Sequence, residues 1–348
     1  MTSIAVAWMG MPDYAARCIK AFVDDFGGDV EVVATRPDVP IAGMERSLGQ
    51  TVHWIRSDCR GLCWQDLGIN RPDILLQGGY SVPSFRSLAA DARSIGGRVV
   101  LASDINWQGT LQQRFVDRLR HKLLFRRKFD AVMTPGAAGI RYIRAMGYSA
   151  DRTVPGLYGA DPSLFNGGAP LIERSQTFLF VGQYIARKNV LDLAEAFLSV
   201  VEDHPDWSLV LCGSGSLHSA IPVHPTIRVL DFLQPPQLAE LMRHSRCVVL
   251  PSLEEHWGVV VHEAVLSGCA LALANVVGAA PDFARPENSV LFRPGDKMAI
   301  ACALRQIIYW DDAHWAKAEA TSRALGVQFG PHRFSSELRQ LIDRLLKA

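Results

Sequence analysis

Short β-branched apolar runs alternate along the chain with longer stretches whose apolar positions recur every three or four residues. In the first half the runs are IAVAWM, VEVVAT, TVHWI, DILLQ, RVVLA and AVMTP, with helical spacing over Tyr14 to Phe26 and Ser84 to Ser94. In the second half they are TFLFVG, SLVLCG, IRVLDF, CVVLPS, ALALAN and SVLFRP, with helices expected at Val190 to Val201, Gln237 to His244, Val259 to Ser267 and Lys297 to Trp310. This alternation predicts α/β architecture, with parallel sheets covered on both faces by helices. Between the halves, GLYGADPSLFNGGAP breaks the pattern with Gly, Pro and Asp. Two doubly wound units are therefore expected, 1–165 and 166–330, in line with 348 residues being more than one core usually serves. A closing segment, 331–348, carries Leu338, Leu341, Ile342 and Leu345 at helical spacing, a face free to dock anywhere, the first domain included. Open parallel sheets bind ligands beyond the carboxyl ends of their strands, so a cleft between the units is the expected site.

Composition narrows the partners. Lys+Arg 36 against Asp+Glu 35 leaves a net charge of +1, so overall charge points to neither nucleic acid nor membrane, and any basic surface is local. Seven cysteines are scattered, mostly within apolar runs such as LVLCGSG, which predicts reduced, buried thiols in a cytoplasmic protein. Cys59 and Cys63 lack the further ligands that a zinc site needs. The start, MTSIAVAWMGMPDY, has neither the basic nor the long apolar region of a signal peptide, and no apolar run approaches the ~20 residues of a membrane span.

One segment poses a chemical question. PSLEEHWGVVVHEAVLSGCALA reads as the end of a strand, a loop, a tight turn at Gly258 and then a helix with apolar residues on all sides. Glu263 in such a helix would be a core carboxylate, costing several kcal/mol unless it has a partner. Were Glu255 and Glu263 on one helix, eight steps of about 1.5 Å would put them roughly 12 Å apart, near the reach of a nucleotide sugar, with free helix amides between them for a diphosphate. The plainer reading makes Glu255 a solvated loop residue and pairs Glu263 with a core arginine.

The set EHWGVVVHEA, FLFVGQYIARKNVLDLAEAF, YGADPSLF and SGCALALANVVGAAPDFARPENSVLFRPGD resembles the retaining GT-B glycosyltransferases of family 4, strongly from about Ala131 to Asp296 and weakly before that. The resemblance implies a GT-B fold, two Rossmann-like domains facing across a cleft. It also implies roles residue by residue. Lys188 matches the lysine that neutralises the donor diphosphate; the arginine that precedes it in the family falls on Gln183, and Arg187 is either its substitute or a solvated cation. Glu263 matches the carboxylate that binds the ribose hydroxyls, and Glu255 the one beside the transferred sugar. The amides of Trp257, Gly258 and Val259 would line sugar and phosphate. Gly213 and Gly215, in CGSGS, form a glycine loop near the nucleotide, where a plain turn is the more frequent meaning of the pattern.

The first half departs further from the family. Gly10 matches one phosphate-facing glycine where many relatives have two. Asp104 stands where a histidine is frequent; it would contact sugar or accept the acceptor's proton, or else cap the helix starting near Gly109. The stretch from Arg114 to Lys128 interleaves seven cations with Phe115, Leu119, Leu123, Leu124 and Phe125. It reads as an anionic-membrane or acceptor-phosphate element, or as a helix with one core face and one solvated face.

The resulting expectation is a retaining, metal-independent hexosyltransferase without a cofactor. It would move sugar from a UDP- or GDP-linked donor to a glycan or lipid-linked acceptor in polysaccharide or cell-envelope glycan biosynthesis, in the cytoplasm or peripherally at the inner face of the membrane. Glu255, Asp104 and Lys188 would be catalytic, and nucleic acid is no partner. The alternative is a non-catalytic GT-B subunit that binds a glycan or protein.

Overall fold

The computed structural model describes residues 2–37 and 44–347. The chain divides into two compact units, 1–159 with 330–348, and 160–329. The first is built on seven strands, β1 (Ile4–Trp8), β2 (Val30–Thr35), β3 (His53–Ile55), β4 (Ile74–Gly78), β5 (Arg98–Ala102), β6 (Ala131–Met133) and β7 (Thr153–Val154). The second has six, β8 (Ser175–Val181), β9 (Ser208–Cys212), β10 (Ile227–Leu230), β11 (Ser245–Leu250), β12 (Ala270–Ala274) and β13 (Ser289–Phe292). All neighbours in both sheets are parallel, in the orders β3-β2-β1-β4-β5-β6-β7 and β10-β9-β8-β11-β12-β13. In each sheet the chain winds outward one way and then restarts on the other side. The reversal falls between β1 and β4 and between β8 and β11, and the loops leaving those central strands diverge and open a crevice.

Strands buried on both faces read as nearly continuous apolar runs, and the central strands of both sheets largely do. In β1, Ile4, Val6 and Trp8 pack on one face of the sheet and Ala5 and Ala7 on the other. The helix Asp13–Phe26 covers the first of these faces through Ala15, Ile19 and Phe22. The closing helix, Pro331–Lys347, packs into the same cluster through Phe334, Leu338, Leu341, Ile342 and Leu345, each worth about 1.5–3 kcal/mol when fully buried. Ser335 Oγ donates to Asp25 at 2.7 Å, and Arg339 pairs with Asp25 at 3.1 Å.

The boundary falls at Gly159–Ala160, before the 165/166 expected from the sequence. The linker residues Ala160 to Asn166 are held by the second unit: His262 Nδ1 accepts from the amide of Ala160 at 2.9 Å, and Arg243 donates to the carbonyls of Leu164 and Asn166.

The basic segment has a buried side and a solvated side, but the buried side is not made of the apolar residues expected there. It is helical from Gln112 to Lys128, with widened i to i+5 turns over Gln112–Asp117 and His121–Phe125. Its buried residues are Gln113, His121, Phe125 and, just beyond it, Phe129. Phe115 is 70% exposed, Leu119 58%, Leu123 50% and Leu124 52%. Most of its apolar residues thus face solvent, while Phe125 lies in the core, with a glutamine and a histidine also buried. Among the described residues no helix is long and apolar enough to cross a membrane.

Candidate functional site

The loops after β8 and β11 meet at the reversal of the second sheet. After β8 the chain passes Gly182, Gln183 and Tyr184 into a single 3-10 turn, Ala186–Lys188, and then the helix Val190–Val201. Asn189 joins turn to helix at φ +55°, a left-handed conformation that asparagine tolerates better than most residues. After β11 the loop Pro251–Gly258 leads into the helix Val259–Leu266. The two loops are tied to each other: Leu253 N donates to Arg187 O at 2.8 Å, and the Arg187 side chain donates through Nη1 to Glu254 O at 2.9 Å.

At their junction Lys188 Nζ donates to Glu255 Oε2. Ser252 Oγ donates to the same oxygen at 3.2 Å, and Arg187 approaches Oε1 at 4.0 Å. Glu255 is 8% exposed, so the solvated-loop reading of this residue is wrong. Its main chain is fixed as well: Glu255 O accepts from Gly278 N and Trp257 O from Ala279 N, both at 3.0 Å, in the loop after β12. An ammonium offers three N–H donors and Glu255 takes one, so Lys188 keeps hydrogen-bonding capacity for an anion. Two cations against one carboxylate leave the cluster at a formal +1.

Gly258 turns the chain at φ +90°. A Cβ there would lie 3.2 Å from Leu250 Cδ2 and 3.3 Å from Glu255 Cγ, so conformation and space both call for glycine. Because the helix begins at Val259, Glu255 precedes it, and the two glutamates do not share one helix. The helix is also not buried all round. Val261, His262, Ala264, Val265 and Leu266 are inside, whereas Val259, Val260 and Glu263 are half-exposed. The expected burial is therefore reversed, with Glu255 enclosed and Glu263 on the open side. The Trp257 ring is buried, 5.8 Å from Phe283 and 6.3 Å from Phe329.

The glycine loop after β9 is built for close approach. Gly213 has φ +154° and Gly215 φ +156°, and a Cβ on Gly213 would collide with Gly182 O. Tyr184 N donates to Ser214 O at 2.8 Å and Leu217 N to Tyr184 O at 2.9 Å, lacing this loop to the one after β8. Burial pushes the Cys212 thiol up to about 11, so it stays protonated and is no nucleophile at neutral pH. Gln183 is exposed and neutral. The structure thus brings Lys188, Arg187, Glu255 and Gly258 into contact, with Gly213 and Gly215 packed against the Gly182–Tyr184 loop.

In the first unit, Gly10 follows β1 at φ +72°, its amide donating to Thr35 Oγ1 at 3.1 Å. Asp104 follows β5 and accepts from Tyr158 Oη at 3.5 Å. Burial first, and then the Asp104 charge, raise the Tyr158 phenol well above its ordinary value, so it remains the donor. At the start of the following helix Thr110 Oγ1 accepts from Gln113 N, and Gln113 Oε1 accepts from the amides of Gln108 and Gly109. Among the described residues no cluster of three or more His, Cys, Asp or Glu is arranged to hold a metal ion.

The solved structure of Anabaena Alr3699/HepE in complex with UDP matches with a TM-score of 0.76 at 16% identity, over 99% of this chain and 100% of that one. Sucrose-phosphate synthase from Thermosynechococcus elongatus matches with a TM-score of 0.73 at 15% identity, over all of both chains.

The fold is GT-B. Residues 175–309 of this GT-B chain match the family model described as Glycosyl transferases group 1, a span that contains Lys188, Glu255 and Glu263. The chain is 27% identical over 158 residues to glycogen synthase of Mycobacterium tuberculosis, covering 43% of this chain and 38% of that protein. It is 26% identical over 204 residues to D-inositol 3-phosphate glycosyltransferase of Corynebacterium urealyticum, covering 54% and 45%. The matched stretch is thus less than half the length of either curated relative.

Proposed function

We propose that this GT-B chain is a retaining, metal-independent glycosyltransferase that takes sugar from a UDP- or GDP-linked donor and places it on a glycan or lipid-linked acceptor in polysaccharide or cell-envelope glycan synthesis. The observation that carries the reading is the Lys188–Glu255 pair at the β8/β11 reversal, beside the helix that starts after Gly258. A departing nucleoside diphosphate gains negative charge, and a fixed ammonium together with unpaired amides at a helix start stabilises such charge without reorganising. Arg187 adds the second cation that Gln183 does not provide. Glu263, on the open side of the same helix, is the acceptor for ribose hydroxyls. Glu255 holds Lys188 in place and stands beside the sugar. Asp104 in the first unit is the acceptor-side carboxylate. The UDP bound by the Anabaena protein supports a uridine donor.

Calorimetry with UDP, GDP and their sugars tests the reading. Micromolar binding that is lost in Glu263→Ala and Lys188→Met, together with sugar transfer or slow donor hydrolysis, supports it. Binding unchanged by both substitutions sinks it. A second reading, a non-catalytic GT-B subunit that binds a glycan or protein, rests on the neutral, exposed Gln183; it predicts neither transfer nor hydrolysis.

A further inference from the structure

A cavity of about 740 Å³ lies wholly within the first unit, between the helix Pro83–Arg93 and the basic helix ending at Lys128. At its inner end is Gln77, from the carboxyl end of β4, next to the central reversal of that sheet. Gln77 is 1% exposed, and neither its amide nitrogen nor its amide oxygen has a hydrogen-bond partner among the described residues. A buried unsatisfied group costs about 1–3 kcal/mol, so a side chain in this state is suited to a ligand that supplies both an acceptor and a donor.

The walls say which ligand. Arg60, Arg86, Arg120, Arg127 and Lys128 line the cavity, and none forms an ion pair with a carboxylate among the described residues. The sixth lining cation, Arg93, is already held by Asp130 at 2.6 Å. No aspartate or glutamate lines the space. Guanidinium groups without carboxylate partners that line one space with a buried amide match a phosphoryl group in charge and in donor chemistry; Arg120 is held there over the Phe125 ring, 5.2 Å from its centroid. Leu124 lines the mouth at 52% exposure, with Leu119 and Leu123 exposed on the same helix.

We propose that this cavity binds the phosphoryl group of a phosphate-bearing acceptor, with Arg86 and Arg120 contacting the phosphate and Gln77 orienting the group attached to it. The inference deepens the glycosyltransferase reading and rests on it for the word acceptor; the binding of the phosphate stands by itself. The shared chemistry has two sources, a lipid phosphate or a water-soluble sugar phosphate. The exposed leucines would carry the chain of the first and are unused by the second.

The test titrates the full chain with inorganic pyrophosphate, glucose 6-phosphate, farnesyl phosphate and farnesol, with UDP as a control. At least one phosphate probe binds and farnesol does not. Arg86→Gln/Arg120→Gln weakens that probe at least about tenfold while leaving UDP affinity within about twofold. Gln77→Leu, close in size and without polar atoms, also weakens it. If Leu119→Ser/Leu123→Ser weakens farnesyl phosphate alone, the source is lipid; if glucose 6-phosphate binds and the leucine variant is silent, it is the soluble phosphate. Failure of every phosphate probe to bind, or equal binding by the arginine variant, overturns the proposal. Intact UDP binding then shows that the failure belongs to this cavity, whereas loss of UDP binding in the unmodified chain is a failure of the donor-site reading.

Discussion

Lys188 and Glu255, 67 positions apart in sequence, are joined by a hydrogen-bonded ion pair between the loops of adjacent strands β8 and β11, with the Lys188 side chain 14% exposed and that of Glu255 10%. Two groups enclosed to this degree depend on one another, because each would otherwise be a desolvated charge.

Breaking the pair from one side therefore costs stability as well as binding. Lys188→Met leaves Glu255 without its ammonium and lowers unfolding free energy by about 2–3 kcal/mol, toward the low end of what removing one partner of a buried pair costs. Lys188→Met/Glu255→Gln recovers most of that loss, and neither variant regains nucleotide-sugar affinity. Urea denaturation and calorimetry measure the two effects separately; a double variant no more stable than the single one would refute the coupling.

Glu263 behaves differently, being half-exposed on the open side of its helix. Glu263→Gln keeps the size of the side chain and one acceptor oxygen, so it costs less stability than breaking the enclosed Lys188–Glu255 pair. It weakens donor nucleotide binding by about tenfold or more through loss of charged hydrogen bonds to hydroxyls. A melting temperature that falls together with the affinity would count against this assignment.

Gly258→Ala tests the turn that positions the helix start. At φ +90°, with Leu250 Cδ2 at 3.2 Å and Glu255 Cγ at 3.3 Å from the added methyl, it destabilises by about 1–3 kcal/mol. Donor affinity falls with it, because relief of the contact displaces Glu255. Crystallography or a urea titration of the variant decides the matter; wild-type stability and affinity would show the strain to be absent.

Below neutral pH, His121 sets a slope. Burial lowers its pKa to about 4, and the ring stacks on Phe125 and meets Tyr142 Oη at 3.3 Å. The unfolded chain binds a proton near pH 6.5 that the folded chain refuses until about pH 4. Stability from this residue is therefore complete above pH 6.5 and declines as pH falls through that window, by on the order of 2 kcal/mol at its lower end. His121→Gln should show a shallower fall in denaturant midpoint between pH 7 and pH 4.5 than the unmodified chain; parallel curves would exclude His121 as the cause.

Much of this was legible in the linear pattern. The runs IAVAWM, VEVVAT and DILLQ are β1, β2 and β4, and the helix expected at Val190–Val201 has those bounds in the structure. Doubly buried strands announce themselves because nearly every position is apolar. The two-residue strand β7 and the helix Asp312–Gly326 went unread, the first too short for any periodicity and the second weakly amphipathic, with Trp315, Ala318, Ser322 and Gly326 inward. The basic helix misled for a related reason: Phe115 and Leu119 have core composition but point outward, while Gln113 and His121 point inward, the first donating to Asn106 O and the second meeting Tyr142 Oη through Nε2.

The sequence by itself determined the class of architecture, the position of the glycine turns and the identity of the charged residues, since these follow from local periodicity and from φ angles that only certain residues accept. Tertiary structure alone decided which glutamate is enclosed, what Lys188 holds, and that Gln77 lies unpartnered below a group of unpaired cations. Burial and partnership depend on strands distant in sequence becoming neighbours, and no local pattern encodes that proximity.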